Sequence, residues 1–298
     1  MTDTAPPLRR ILLAGASGTI GAAVLKQLTA QGHDVTIVPR GTLAEAAALA
    51  ALCAASRPQV VISCIASRSG APEDALAVDY GANATLLQAA RAAGAAQFIL
   101  LSAICVQKPL LAFQHAKLKF EAELQASGIG YTIIRPTAFF KSLSGQVARV
   151  KAGKPFLIFG DGNLTRCKPI SDDDLARFIG SVIGNPQALG KVLPIGGPGP
   201  AISLRDAGEL LFAAAGREPR FRSVSPAMFT LAGKLLGLGA PFSGWFAEKA
   251  EYARIAHYYA TESMLVLDPA TGEYSADLTP EFGSETLSDH YRRLLAEG

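Results

Sequence analysis

The chain has 298 residues, with Lys+Arg 28 against Asp+Glu 25 and a formal net charge of +3. That length holds one large domain or a domain with an appendage, and a near-balanced chain with no basic stripe interleaved with aromatics is not built for nucleic acid. Cys53, Cys64, Cys105 and Cys167 form no Cys-x-x-Cys pair, the histidines show no metal-ligand spacing, and the N-terminal MTDTAPPLRR has no signal-peptide core, so a cytoplasmic protein with reduced thiols and no metal is expected.

Arg9 to Ala14 reads as a short buried strand. It runs into Gly15-Ala16-Ser17-Gly18-Thr19-Ile20-Gly21 and then into an apolar-periodic helix from Ala22 to Ala30. Strand, glycine turn and helix are the context that a dinucleotide motif requires. Gly15 allows the turn, Gly18 lets backbone approach a pyrophosphate, and Gly21 lets helix and strand pack. Ser17, Thr19 and Ile20 lie at the helix start, where free N–H groups and the positive dipole end meet phosphate. The next strand, Asp34 to Val38, ends in Pro39-Arg40. No acid is present to hold a ribose 2′-hydroxyl, and Arg40 suits a 2′-phosphate, so NADPH is the expected cofactor.

Further on, strands are expected at Val60–Ile65, Phe98–Ser102 and Tyr131–Pro136, and helices at Asp79–Ala93 and Leu111–Ser127. Short apolar runs separated by helices imply a parallel sheet covered on both faces. Ligands then bind beyond the carboxyl ends of the strands. Those ends carry Gly15, Arg40, Ser63, Ala66, Ser102, and Pro136 to Lys141, which converge on one rim. Ser102, Phe113 and Lys117 stand at the spacing where a short-chain reductase carries Ser, Tyr and Lys, but Phe113 has no proton to give. The acceptor is therefore expected not to be a carbonyl.

Ser171 followed by Asp172, Asp173 and Asp174 invites a metal, but a helix cap with acids at the positive end of the dipole is the plainer reading. Val192 to Gly197 reads as a late strand, and beyond about residue 200 a mostly helical region begins. Residues 226–246 are apolar but broken by Lys234, Gly237, Gly239 and Pro241, too interrupted to span a bilayer. A core helix is the favoured reading; an apolar lid over a large flat ligand, touching membrane, is the other. The expected fold is thus α/β: a doubly wound parallel sheet of the Rossmann type with a smaller helical C-terminal lobe. The division falls at 8–200, with substrate-lobe insertions after 136, and 201–298.

With these residues laid out, the chain resembles the atypical, NmrA-like branch of the short-chain dehydrogenase/reductase family, and within it the reductases of a vinyl group on a chlorophyll precursor. The resemblance rests on Leu101–Leu124, Arg135–Val147, Lys168–Ala176 with Val192–Gly199, and Tyr258–Tyr274, and the segment Gln107-Lys108-Pro109-Leu110 is especially specific. It implies NADPH-dependent reduction of the 8-vinyl group of divinyl chlorophyllide, or of divinyl protochlorophyllide, to ethyl. The short N-terminus, without a transit sequence, suggests a photosynthetic bacterium and a cytoplasmic enzyme at the edge of the photosynthetic membrane. Lys117 is implied to bind ribose and support protonation, and Ser102 to orient nicotinamide or water. Phe113, Phe139 and Phe140 are implied ring walls, and Lys141 a partner for the substrate's propionate. His115, His257, Tyr258 and Tyr259 are candidate magnesium-water or proton contacts. The family also leaves open a reductase of a quinone or another conjugated alkene, a non-catalytic NADP-sensing regulator, and an accessory subunit that holds NADPH structurally.

Overall fold

A computed structural model describes residues 8–239 and 243–296. In chain order β1 (Arg10–Ala14) leads into α1 (Thr19–Ala30), then β2 (Asp34–Val38), α2 (Ala46–Ser56) and β3 (Val60–Ser63). The short turn α3 (Pro72–Asp74), a π-helical stretch Ala75–Ala82 and α4 (Asn83–Ala92) form one continuous helical run. Then come β4 (Gln97–Leu101), α5 (Ala112–Ala126) and β5 (Gly130–Pro136). The expected helix over Asp79–Ala93 therefore starts earlier. Pro72, with its fixed φ, opens it, and Glu73 and Asp74 sit on its positive end.

After β5 the chain leaves the sheet through α6 (Phe140–Leu143), α7 (Val147–Lys151), β6 (Phe156–Phe159) and β7 (Arg166–Cys167), and returns by α8 (Asp172–Ser181) and β8 (Lys191–Ile195). The remainder is β9 (Ile202–Ser203), α9 (Leu204–Ala214), β10 (Phe221–Val224), α10 (Ala227–Gly239), α11 (Gly244–Thr261), β11 (Val266–Leu267), β12 (Tyr274–Ser275) and α12 (Leu287–Ala296).

The main sheet has the order β2-β1-β3-β4-β5-β8, and every pairing in it is parallel. One face is closed by α2, α4 and α5 over a core that includes Leu12, Leu49, Leu86, Phe98 and Phe120. The other is closed by α1 and α8 over Leu13, Val24, Ile62, Ile134 and Ile179. This is the expected doubly wound architecture, and it places every strand's carboxyl end on one rim. A separate core joins Phe140, Val150 and Phe156 to Leu211, Phe212, Leu287 and Tyr291. The second lobe thus draws on the segment after β5 as well as on the C-terminal region.

Ser171 accepts the Asp174 N–H at 3.0 Å, which makes it the cap of α8. Asp174 is fully buried and accepts the N–H groups of Ser284 and Glu285 at 3.2 and 2.9 Å. Its neighbours are thus backbone amides and Arg177.

Candidate functional site

The glycine motif forms a tight cradle. Gly15 has φ +83°, a region that strongly favours glycine, and a Cβ there would lie 2.6 Å from the Cys64 carbonyl oxygen. A Cβ on Gly21 would lie 2.1 Å from the Gly15 carbonyl oxygen. Glycine at these two positions lets β1, the start of α1 and the loop after β3 meet. Gly18 is the cap of α1 and has no side chain to satisfy the first-turn amides, which are left for an anion. Ser17, Gly18 and Thr19 are exposed there, and Ile20 is half-buried beneath them.

Arg40 stands just past the end of β2, exposed, with no side-chain partner among the described residues. Ser63 closes β3 and donates to Asn83 Oδ1 at 2.5 Å, while Ala66 lies exposed on the loop beyond. Pro136 is buried at the end of β5, opposite Ile195 of β8. Lys141, expected to meet substrate, instead donates to Thr19 Oγ1 at 2.7 Å, which brings its ammonium to the start of α1. Asp172 lies nearby. Burial pushes its carboxyl up, and Lys141 opposes that shift.

Lys117 lies on α5 and pairs with Asp79 Oδ1 at 2.9 Å. Asp79 is 2% exposed, sits within the π-helical stretch, and also accepts the Ser67 N–H at 3.3 Å. Its Oδ2 is buried without a hydrogen-bond partner. π-helical turns recur at functional sites because one extra residue re-aims a side chain. Asp79 carried no sequence signal beyond its place at the start of an expected helix.

Ser102 is turned away from this pair. Its hydroxyl donates to Glu121 Oε1, and Glu121 holds Arg135 through both carboxylate oxygens. Ser102 thus closes a buried polar cluster on β4, α5 and β5, and the expected contact to nicotinamide is not what its hydroxyl makes here. Phe113 is half-buried beside Gly70 and Ile255 and packs into the cluster formed by Ile104, Cys105, Leu111 and Tyr258.

A cleft of about 490 Å³ lies between α10, α11 and the turn that starts α5. Its apolar wall includes Leu110, Leu111 and Phe229, and its polar groups include Lys234, Arg254 and His257. This overturns the favoured reading of the apolar segment. Within α10 only Gly233 is buried, so the helix covers a cleft rather than filling a core. Ala240, Pro241 and Phe242, from the middle of that segment, lie outside the described residues.

The cleft is tied to α5 at several points. Glu251 of α11 accepts the Ala112 N–H at 3.2 Å, a carboxylate on the positive end of α5. The Tyr258 hydroxyl donates to the Cys105 and Lys108 carbonyls at 2.9 and 3.2 Å. Tyr258 is 3% exposed, and burial pushes its phenol up to about 12. Its hydroxyl is committed to backbone, and the residue lines the cleft. Phe140, expected as a ring wall, is 2% exposed in the second-lobe core and tilts against His290. Phe139 is half-buried against the sheet-side core and bridges Ile170. His115 is exposed on α5, and Tyr259 points its hydroxyl at Cys105 Sγ, 4.0 Å away.

Comparison with known proteins gives three findings. The family model described as NAD(P)H-binding matches residues 15–186. The chain is 46% identical to divinyl chlorophyllide a 8-vinyl-reductase of Zea mays, over 97% of this chain and 80% of that protein. It is 45% identical to the reductase of the same name from Cucumis sativus, over 98% of this chain and 78% of that one. Among solved structures, the NADPH-dependent quinone oxidoreductase QOR2 of Escherichia coli, solved with NADPH, has a TM-score of 0.65 and 19% identity, covering 95% of this chain and 99% of its own. At that identity the likeness is one of fold.

Proposed function

The chain belongs to the NAD(P)H-binding family of divinyl chlorophyllide a 8-vinyl-reductases, and from that premise we propose that it reduces the 8-vinyl group of a divinyl chlorophyllide to ethyl in (bacterio)chlorophyll synthesis, with NADPH as donor. The full-length likeness to the plant reductases carries this reading. Phe113, in the place of the usual phenol, agrees with it, because a conjugated carbon–carbon double bond offers no carbonyl oxygen to protonate.

The cradle fits a dinucleotide. Its two close approaches leave room only for backbone at Gly15 and Gly21, and α1 opens with free amides. Ser17, Gly18, Thr19, Ile20 and Lys141 would hold the pyrophosphate, and Arg40 the 2′-phosphate. Ser63, Ala66 and Pro136 would border the nicotinamide end. When bound, NADPH supplies the hydride.

Everything else falls to the chain. Asp79 aims the Lys117 ammonium, which is placed to hold a ribose hydroxyl and to favour the negative charge that spreads over the macrocycle. Phe113 excludes water from the reacting carbon, while the completing proton comes from solvent or a group delivered with it. Ser102 supports the site indirectly, by anchoring Glu121 and Arg135 beneath α5. The pigment occupies the cleft between α10 and α11, with Tyr258 at its margin. Residues 8–200 serve the cofactor, with substrate-lobe pieces inserted after 136, and 201–298 serve the pigment. Among the described residues no helix is long and apolar enough to cross a membrane; the outer face of α10 makes a peripheral contact instead.

The test is direct. Purified protein mixed with NADPH and divinyl chlorophyllide should consume NADPH and yield a pigment heavier by two hydrogens. No product and no NADPH consumption would sink the assignment.

A further inference from the structure

We propose that Lys234 sets substrate specificity by taking the carboxylate of a free-acid tetrapyrrole. This rests on the pigment reading of the cleft given above. The argument is one of charge balance inside the cleft.

Three side chains that line it carry full charge: Lys234, Arg254 and Glu262. Arg254 is neutralised by Glu251 at 2.6 Å, and Glu251 is 2% exposed. Glu262 is neutralised by Lys108 at 2.8 Å and also accepts the Tyr274 hydroxyl at 2.9 Å. Lys234 has no ion pair or hydrogen bond of its side chain among the described residues. Among the described residues the cleft therefore holds one positive charge with no ion-pair partner.

The shape around it selects the ligand further. Phe229, Thr230, Gly233, Lys234 and Gly237 share one side of α10, so Lys234 lies along that side between two positions that have no side chain. A Cβ on Gly233 would be 3.6 Å from Ala253 Cβ, while one on Gly237 would meet nothing within 4 Å. The helices close at one glycine and stay open at the other. Leu110, Leu111 and Phe229 supply apolar wall. A flat apolar ligand with a single anionic arm matches this arrangement. A chlorophyllide is such a ligand, and esterifying its propionate removes the charge. Most cofactor and drug-sized sites work this way, with apolar walls and a few placed polar groups.

The experiment is an equilibrium titration of the full chain, read by quenching of pigment fluorescence. The ligands are divinyl chlorophyllide and its propionate methyl ester. The wild-type chain should bind the free acid more tightly. Lys234→Gln should weaken free-acid binding about tenfold, as loss of a charge-assisted contact does. It should leave the ester and NADPH affinities unchanged, and Lys234→Arg should keep the preference. Equal wild-type affinities for acid and ester would overturn the proposal, as would a preference that survives in Lys234→Gln. Because no turnover is needed, pigment that binds with this pattern but is not reduced defeats the vinyl-reductase reading and leaves Lys234 standing. Failure of both pigments to bind defeats both.

Discussion

Arg40, just past β2, and Lys141, in α6, are proposed to meet different parts of the cofactor, and they should fail differently. Replacing Arg40 with Glu sets a carboxylate against the 2′-phosphate. NADPH affinity should fall about tenfold and NADH affinity should hardly change. Lys141→Ala removes a cation from the start of α1, where the pyrophosphate common to both cofactors is proposed to sit. Both affinities should then fall together, by roughly threefold to tenfold, because the side chain is exposed and screened. Isothermal titration with each nucleotide separates the two outcomes. If Lys141→Ala spares both cofactors and weakens pigment alone, Lys141 serves the propionate instead. Lys117→Met should cut turnover at least a hundredfold, in the range of a lost charge-stabilising group. Asp79→Asn should cut it less. The double variant should be no slower than Lys117→Met, since Asp79 is proposed to act through the Lys117 it pairs with and contacting residues are not additive. A double variant slower by the product of the two losses would separate them. Phe113→Tyr should not raise turnover, because no carbonyl awaits its proton.

Among the elements, α10 has two unlike sides. Toward the cleft it presents Phe229, Thr230 and Lys234 with Gly233 and Gly237 among them. Away from it, Met228, Leu231, Leu235 and Leu238 are exposed, from 58% at Met228 to 73% at Leu238. Trp245 and Lys249 stand close by, with the ammonium 5.9 Å from the indole ring centre. An apolar stripe with an adjoining tryptophan and lysine suits the headgroup boundary of a bilayer. Each leucine fully transferred to lipid is worth about 1.5–3 kcal/mol. Leu231→Asp with Leu235→Asp should therefore abolish co-sedimentation with anionic liposomes, and Trp245→Asp should weaken it. The circular dichroism and NADPH affinity of these variants should match the wild type. Unfolded variants would mean that the stripe packs against protein. The helix itself was readable from its apolar run, but its exposure was not. Periodicity reports which residues share a side of a helix, not what covers that side. Contacts between distant segments were similarly hidden. Gln107 exchanges hydrogen bonds with Leu265 and Leu267 at 2.9 and 2.8 Å, and Lys108 pairs with Glu262. The two most distinctive stretches of sequence thus meet in space, although each was readable only as a separate signature.

Taken as a whole molecule, the chain guards its thiols. Burial pushes Cys64 and Cys167 up to about 12, and raises Cys53 and Cys105 as well. Only the thiolate is nucleophilic, so a raised pKa leaves little reactive form at pH 8. Iodoacetamide labelling of the native chain at pH 8 should be slow and should follow global opening. Saturating NADPH should slow it further, since a ligand held at about a hundred times its Kd adds about 2.7 kcal/mol of stability. Labelling as fast as that of a free thiol would show that these cysteines are not shielded. At this scale the sequence was informative. The buried runs at Val60, Phe98 and Tyr131 and the turn at Gly15 were enough to lay out a parallel sheet, because a strand buried on both faces must be apolar along its whole length. The site was less readable. Ser102, Glu121 and Arg135 are spread over three elements, and no spacing rule links them. Asp79 likewise became visible only once α5 was packed against the helical run before α4.

The π-helical stretch at Ala75–Ala82 acts as a phase shift in the chain. An ordinary helix turns about 100° per residue, so one extra residue in a turn rotates everything on one side of it relative to the other. Asn83 and the buried side of α4 are thereby set for packing, while Asp79 is set for Lys117, two demands that an uninterrupted α-helix would have to meet in a single register. Shortening the stretch by one residue, for instance at Gly81, keeps the composition, charge and apolar content almost intact. It nonetheless forces a choice between the core contacts of Leu86 and Ala90 and the grip on Lys117. The core is larger, so the helix should settle in its favour, leaving a chain that folds and keeps Lys117 but has Asp79 turned off its mark.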